Sequence, residues 1–287
     1  MPNYPSDLTD EQWQCIKGLV PKRKKKGRKP LDRRLVIDAI LYVNRTGCQW
    51  RALPHDFPKW SSVYTVFWRW RKEGIWQSIH DKLRERLRKR EQRKSTPTAA
   101  IIDSQSVKTT EVDGDERGYD AGKKIIGRKR HVAVDTLGLV LAVVVHGAYW
   151  QDQDGACFVF MKLKKSFRRL KVVFGDSAYG RNGLPDWIQE TCGWIPQTVL
   201  RPVGVNGFVV IPKRWIVERT FAWIGRYRRH SKDYERNPET SENMIYISMI
   251  ALMSKRLART QEPIRRHLLR YEDFQQFPCV CIRLLSI

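Results

Sequence analysis

The sequence predicts an α/β protein in which a small helical region precedes a domain built on a mixed sheet. Two short apolar runs, 99–103 and 171–176, have the length of buried strands, and each ends in an aspartate. Two further apolar runs, 131–135 and 139–145, flank a Thr-Leu-Gly turn and predict a hairpin. The first 94 residues instead carry helix caps and helical spacing of apolar residues.

The helical region has well-marked helix ends. Thr9 and Gln12 have the spacing of a capping box and predict a helix over 10–20. Asp32 stands where a helix N-cap is expected, and Gly47 where a helix stops, so a second helix is predicted over 33–46.

A third helix is predicted to begin at a Ser61 cap and to run to about residue 73. Its outward side chains, Thr65, Arg69 and Arg71, are basic or carry a hydroxyl group. Three short helices of this kind predict a helix-turn-helix-like module whose last helix enters the major groove of DNA.

A fourth helix, 75–93, ends in so many charges that we interpret it as a helical linker. The Ser-Thr-Pro step that follows marks a domain boundary. The chain is therefore divided into a helical DNA-binding domain with a basic arm and linker, a second domain and an extension of unknown role: 1–94, 95–260 and 261–287.

The second domain is predicted to alternate strands and helices. After the strand 99–103 and the hairpin, the pattern predicts five more elements: a helix from Asp152 to residue 169, the strand 171–176, a helix over 182–190, a strand at 198–200 and a long helix over 214–235.

The charge of the chain indicates a polyanionic partner. Its 54 Lys and Arg residues outnumber 30 Asp and Glu residues, which gives a net charge of +24. Because the basic runs are spread over the whole length, nucleic acid fits better than a membrane surface. No apolar run has membrane-spanning length, and the six cysteines are scattered, so we expect a cytoplasmic protein with free thiols and no membrane association.

Two basic segments are candidate DNA contacts. The run 22–30 is too rich in basic residues to be buried, so we interpret it as a loop or arm. Its Gly-Arg-Lys-Pro step, with Arg28 and Lys29, is narrow enough to enter a minor groove. A second basic cluster stands in the polar segment after Asp103, with Lys123 beside four residues that we assign to DNA binding: Lys124, Arg128, Lys129 and Arg130.

Three carboxylates are candidates for a metal site. Asp103 and Asp176 end separate strands, and Glu218 lies on the later helix, so the three can converge at one sheet edge. Oxygen-only ligands suit Mg²⁺, with Mn²⁺ as a substitute, and paired ions can promote displacement at a phosphodiester. The alternative is that the aspartates only end strands and that Glu218 is a surface residue paired with arginines.

The helix that carries Glu218 has an open surface on the same side. Ala222 and Gly225 are small, and Arg226 and Arg229 are expected beyond them. Since arginine can bind phosphate through two parallel hydrogen bonds, this face is predicted to hold the DNA backbone beside the phosphodiester that is cleaved.

Four segments carry a family resemblance: IIDSQSVKT, RGYDAGKKIIGRKRHVAVDTLGL, FGDSAYG and RWIVERTFAWIGRYRRHSKDYE. Together with GRKPLDRRLVIDAILYVNRTGCQWRALP, they resemble the bacterial insertion-sequence transposases of family five over about residues 5–260. The resemblance implies a ribonuclease H-like mixed-sheet fold and an Asp-Asp-Glu metal triad at Asp103, Asp176 and Glu218. Arg214 matches the arginine that the broader transposase group places four residues before the glutamate, and we assign it to DNA binding. The lysine often found seven residues after the glutamate is replaced here by Gly225, with Arg226 next.

The expected activity is therefore Mg²⁺-dependent cleavage and strand transfer of double-stranded DNA. The partners would be the terminal inverted repeats of the element and the target DNA, bound by a homodimer or a larger assembly at the bacterial nucleoid. Two alternatives stay open: a DNA-binding protein of the same fold that represses or bridges without cutting, and a repair or recombination nuclease directed by DNA structure.

Overall fold

The computed structural model describes residues 4–21, 31–111, 114, 116–200 and 211–259. The predicted basic arm and the C-terminal extension lie outside these ranges. The four cysteines within them are free thiols, as expected. Among the described helices, none combines the length and apolar character needed to cross a bilayer.

The N-terminal region consists of four helices: α1 Asp10–Lys17, α2 Arg33–Thr46, α3 Trp60–Lys72 and α4 Ile75–Arg90. The capping box of Thr9 and Gln12 is confirmed, and so is the Asp32 cap. Gly47 ends α2 at φ 74°, a left-handed conformation that glycine adopts without steric cost. The predicted Ser61 cap is wrong. The N-cap position is Lys59, two residues earlier, and Lys59 makes no capping bond; α3 begins at Trp60, which packs against the core.

The interpretation of α4 as a linker is also wrong. α4 packs against the last described helix, α8 Pro238–Ala258, and buries Leu83 and Leu87. Two arginines on the same side are buried with partners: Arg84 binds Asp81, and Arg88 forms an ion pair with Asp135. The buried face of α4 therefore carries arginines that have carboxylate partners, and its other charged residues face solvent.

A six-stranded mixed sheet forms the centre of the remaining chain. Its strands are β1 Ala99–Lys108, β2 Gly118–Asp120, β3 Ile125–Val134, β4 Val140–Gly147, β5 Val172–Gly175 and β6 Ile195–Thr198. β3 pairs antiparallel with β1, β2 and β4, and β5 and β6 continue the sheet parallel to β1. The predicted strand at 99–103 is longer than expected because residues up to Lys108 pair with β3.

Helices cover both faces of the sheet. On one face, α5 Asp152–Ser166 and α6 Leu184–Cys192 pack over alternate strand residues such as Ile102 and Ala133. On the other face, α7 Arg214–Gly225 and α8 pack over residues of the opposite parity, such as Ile101 and Val132. The last predicted strand, 198–200, is shifted toward the N-terminus in the structure. Ile195–Thr198 form β6 because these residues pair with β5.

The N-terminal helices share a core with the second face of the sheet. Val36 of α2, Leu83 of α4 and Ile247 of α8 belong to the same buried apolar cluster as Val132 and Val143. A buried hydrogen bond from Asn44 to Ser248, 2.8 Å long, joins α2 to α8. The boundary at residue 95 is therefore crossed by continuous packing.

Candidate active site and nucleic-acid interface

Asp103 lies within β1, and Asp176 follows β5, the parallel neighbour of β1. Ile101 of β1 pairs with Phe174 of β5, and each aspartate stands two residues after its paired position. Side chains two residues apart on a strand point to the same face, and the carboxyl ends of parallel strands meet at one edge. The pairing of β1 with β5 therefore places these two carboxylates at neighbouring positions, although Asp103 lies within β1 and not at its end as expected.

Glu218 reaches this edge because α7 is fastened to the turn between β3 and β4. The Thr220 hydroxyl donates to the carbonyl of Gly138 at 2.9 Å, and Arg219 donates to the carbonyl of Leu137 at 3.2 Å. Val217, beside Glu218 in the sequence, is fully buried. The opposite side of the helix is left to solvent, and the Glu218 side chain keeps 48% of its surface exposed.

Arg214 connects two of the three carboxylates. Its Nε lies 3.0 Å from Glu218 Oε1, and its terminal Nη2 lies 3.7 Å from Asp176 Oδ2. These are ion pairs without the alignment of good hydrogen bonds, since Arg214 Nε lacks a properly oriented acceptor. One guanidinium thus holds α7 and the end of β5 at the same site.

Asp103 lies within the same electrostatic environment. Burial raises the pKa of this carboxyl to about 6, and the charge of Asp176 acts in the same direction. The N–H of Ser104, 2.7 Å from Asp103 Oδ1, and the cations Arg214 and Lys123 lower the pKa. Arg214, which forms ion pairs with Asp176 and Glu218, therefore also acts electrostatically on Asp103.

The donor set fits a hard divalent cation. All three predicted ligands offer carboxylate oxygens, the ligand type that Mg²⁺ and Mn²⁺ prefer. Burial, with a smaller effect from the charge of Asp176, raises the pKa of Asp103, and a bound cation would favour its charged form. In the part of the chain that the structure describes, no three potential ligands are close enough to form a preassembled metal centre.

Three members of the predicted basic cluster are buried in β3. The guanidinium of Arg128 donates to the backbone carbonyls of Glu235 and Arg236, and Arg130 donates to that of His230. The ammonium of Lys129 lies 3.1 Å from Asp152. Interior carbonyls and carboxylates therefore satisfy the charges of these three side chains, and their contact with DNA stays a prediction.

The predicted basic face beyond Glu218 is only partly present. The helix expected over 214–235 ends at Gly225, where the chain turns, so Arg226 and Arg229 do not continue it. Arg229 is buried and binds Glu235 at 2.7 Å, which rules out its predicted place on an open surface. Arg226 is exposed, and a Cβ added at Gly225 would contact nothing within 4 Å.

The outward face of α3 carries the predicted side chains. Thr65 and Arg69 are exposed, but Arg71 is only 11% exposed and lies 3.8 Å from Glu239 of α8. Lys124 is exposed in the turn before β3. The predicted minor-groove residues Arg28 and Lys29 fall outside the described residues. DNA contact by all of these residues stays a prediction.

Lys123 is a cation near Asp103 that the sequence did not single out as a DNA-binding residue. Its Nζ lies 3.5 Å from the hydroxyl of Ser104, the residue after Asp103. The sequence shows Lys123 only as one member of a basic run, and no periodicity separates it from the buried Lys129.

Comparisons with known proteins give two family matches and two relatives. Residues 94–254 match the family of transposase DDE domains, and residues 8–80 match a family described as "putative transposase of IS4/5 family". An insertion element IS402 protein of 16.2 kDa from Burkholderia cepacia, described as uncharacterized, is 33% identical over 127 residues, which cover 41% of this chain and 78% of that protein. The uncharacterized protein y4sN of Sinorhizobium fredii is 38% identical over 69 residues, covering 24% of this chain and 55% of that protein.

Proposed function

Because the chain belongs to the family of transposases with a DDE domain, we propose that it binds the ends of an insertion sequence and catalyses metal-dependent DNA cleavage and strand transfer. The observation that carries the proposal is the Arg214 bridge between Asp176 and Glu218, beside Asp103. It supports a triad of Asp103, Asp176 and Glu218 in a ribonuclease H-like domain. The antiparallel strands β1, β3 and β4, extended by parallel β5 and β6, support that fold.

In this proposal, the three carboxylates would hold Mg²⁺ or Mn²⁺. When bound, such ions supply activation of the attacking oxygen and charge stabilisation at the leaving oxygen. The residues of the chain itself position the reaction: Arg214 orients Asp176 and Glu218, while Ser104 N–H fixes one oxygen of Asp103. The exposed surface at Ala222 and Gly225 leaves room for a DNA strand beside Glu218.

The proposed DNA partners are the terminal inverted repeats and the target, bound by a homodimer or larger assembly in the cytoplasm at the nucleoid. The exposed face of α3, with Thr65 and Arg69, supports recognition of the ends. The net charge of +24 supports binding to a polyanion.

The test is cleavage of DNA that carries the element's ends, measured with and without Mg²⁺. We expect single alanine variants of Asp103, Asp176 and Glu218 to lose cleavage but to retain end binding. Glu190→Ala, which removes an exposed carboxylate from α6, is the matched control and is expected to cut normally. Cleavage at the normal rate by Glu218→Ala would contradict the proposed triad.

The same assay separates two other functions. A protein that binds ends without cutting them under Mg²⁺ or Mn²⁺ would be a repressor or bridging protein. Cleavage that follows DNA structure and ignores the terminal sequence would indicate a repair or recombination nuclease.

A further inference from the structure

We propose that Lys123 contacts a DNA phosphate at the catalytic centre and helps to position the scissile strand. This inference rests on the proposed function of the same site. It concerns a residue that lies on the turn between β2 and β3, distant in sequence from all three carboxylates.

The turn that carries Lys123 is anchored to the sheet. The N–H of Lys123 donates to Asp120 Oδ1 at 3.0 Å, and the other oxygen of Asp120 accepts a bond from the Ser106 hydroxyl at 2.5 Å. Asp120 also lies 3.6 Å from the ammonium of Lys129. The backbone of Lys123 therefore has a fixed position, although its side chain is exposed.

The side chain extends from this turn toward Ser104, the residue after Asp103. Its ammonium lies 3.5 Å from Ser104 Oγ, which itself donates to Asp152 at 2.6 Å. The positive charge of Lys123 is close enough to lower the pKa of Asp103 and of Asp152. This places an exposed cation beside Ser104, within electrostatic reach of Asp103.

The other nearby cations already have carboxylate partners. Arg214 is engaged by Asp176 and Glu218, and Lys129 is buried between Asp120 and Asp152. None of the carboxylates that the structure describes lies within 4.0 Å of the Lys123 ammonium. It is therefore the cation of this group that keeps its donors available to a ligand.

A phosphodiester that approaches three carboxylates is repelled, and a cation at the rim reduces this repulsion. An ammonium on a flexible stem binds phosphate as a point charge with three rotatable donors. Lys123 combines that chemistry with a fixed backbone. The contact would hold the strand at the cut, where a displacement of about 1 Å can cost about 100-fold in rate.

The test compares Lys123→Gln with Lys165→Gln in the full-length protein. Lys165 is exposed near the end of α5, thirteen residues beyond Asp152, which corresponds to about 20 Å along the helix. Both variants lose one charge. We expect Lys123→Gln to slow cleavage by about 10- to 100-fold, Lys123→Arg to restore most of the rate, and Lys165→Gln to cut normally.

A second measurement examines the phosphate itself. A series of end DNAs would each carry one neutral methylphosphonate near the cut. For one of these positions, we expect the substitution to slow the wild-type protein but to have no further effect on Lys123→Gln. The salt dependence of DNA binding should also weaken by about one counterion in Lys123→Gln and not in Lys165→Gln.

The outcomes distinguish this inference from the proposed function. If the wild-type protein cuts end DNA but Lys123→Gln cuts equally well, or if every methylphosphonate effect is additive with the substitution, the Lys123 contact is refuted and the transposase function stands. If the wild-type protein fails to cut end DNA with either metal, both are refuted.

Discussion

The ion pair between Arg88 and Asp135 joins the N-terminal helices to the sheet. Both side chains are buried, and Asp135 also accepts bonds from the N–H groups of Leu137 and Leu139, each at 2.9 Å. Asp135 therefore shapes the β3–β4 turn, whose carbonyl groups at Leu137 and Gly138 hold α7. A contact of α4 is thus connected through one turn to the helix that carries Glu218.

Replacing Arg88 with methionine should strongly destabilise the fold. The substitution keeps much of the side-chain volume but leaves Asp135 as a buried carboxylate without its cation, a loss of about 3–5 kcal/mol in unfolding free energy. Urea unfolding measures the loss, and Lys89→Met on the exposed face of α4 serves as the control. A difference below about 1 kcal/mol between the two variants would show that the pair contributes little.

Arg214→Lys should cleave DNA more slowly than the wild-type protein but faster than Arg214→Ala. Lysine keeps the charge, but one ammonium cannot span the Asp176 and Glu218 oxygens as the guanidinium does. We expect Arg214→Ala to reduce cleavage about 100-fold and Arg214→Lys about 10-fold, with unchanged melting temperatures. Arg168→Ala, at an exposed position after α5, is the charge control. Wild-type cleavage by Arg214→Ala would show that the bridge has no role in the reaction.

Arg69 and Arg71 should contribute unequally to end binding. Arg69 is exposed, whereas Arg71 is largely covered and lies near Glu239. Arg69→Ala should weaken binding to end DNA by about 1–3 kcal/mol if it reads a base, and Arg71→Ala should weaken it less. Titration of the full-length protein with end and scrambled DNA measures both. The opposite order of effects would mean that α3 presents another face to DNA.

Gly225→Leu should obstruct DNA without unfolding the protein. A Cβ at Gly225 meets open space, so the folded chain accommodates a larger residue. We expect strand transfer to fall with Gly225→Leu and to be retained with Gly225→Ala, whose methyl group is small. Thermal unfolding should be similar for both. Normal strand transfer by the leucine variant would mean that the DNA passes elsewhere.

Asp38 should make stability depend on pH. Burial raises its pKa from 3.8 to about 7, although its Oδ1 accepts the N–H of Leu8 at 2.9 Å. Between these two pH values the unfolded chain releases the proton first, so the contribution to stability is full below pH 4 and is lost as the pH rises to 7.

The matched variant is Asp38→Asn, which keeps the acceptor and does not titrate. It should be more stable than wild type at pH 8, by on the order of 2 kcal/mol, and lose this advantage near pH 4. Urea midpoints across this range provide the measurement. Parallel curves for the two proteins would show that Asp38 does not titrate on folding.

Local signals predicted many helix ends and the positions of both aspartates. The Thr9 and Asp32 caps depend on hydrogen bonds within a few residues, and the strand that leads to Asp176 is a short apolar run, so neither needs knowledge of distant parts of the chain. The nearness of Asp103 and Asp176 also followed from the behaviour of parallel strands.

The burial of charged residues could not be predicted in this way. Arg128 and Arg130 look like a solvated basic run, but their partners are backbone carbonyls about 100 residues later in the chain. The buried face of α4 likewise depends on Asp135, 47 residues beyond Arg88. The end of α7 was missed because the basic and aromatic pattern continues through the turn after Gly225.

The bond between Asn44 and Ser248 spans 204 residues and has a consequence for protein synthesis. Because α1, α2 and α4 pack against α8, they lack part of their apolar packing until α8 has left the ribosome. Contacts so distant in sequence form slowly. An interrupted translation product that contains only the N-terminal helices would expose this apolar surface and would be a target for chaperones and proteases.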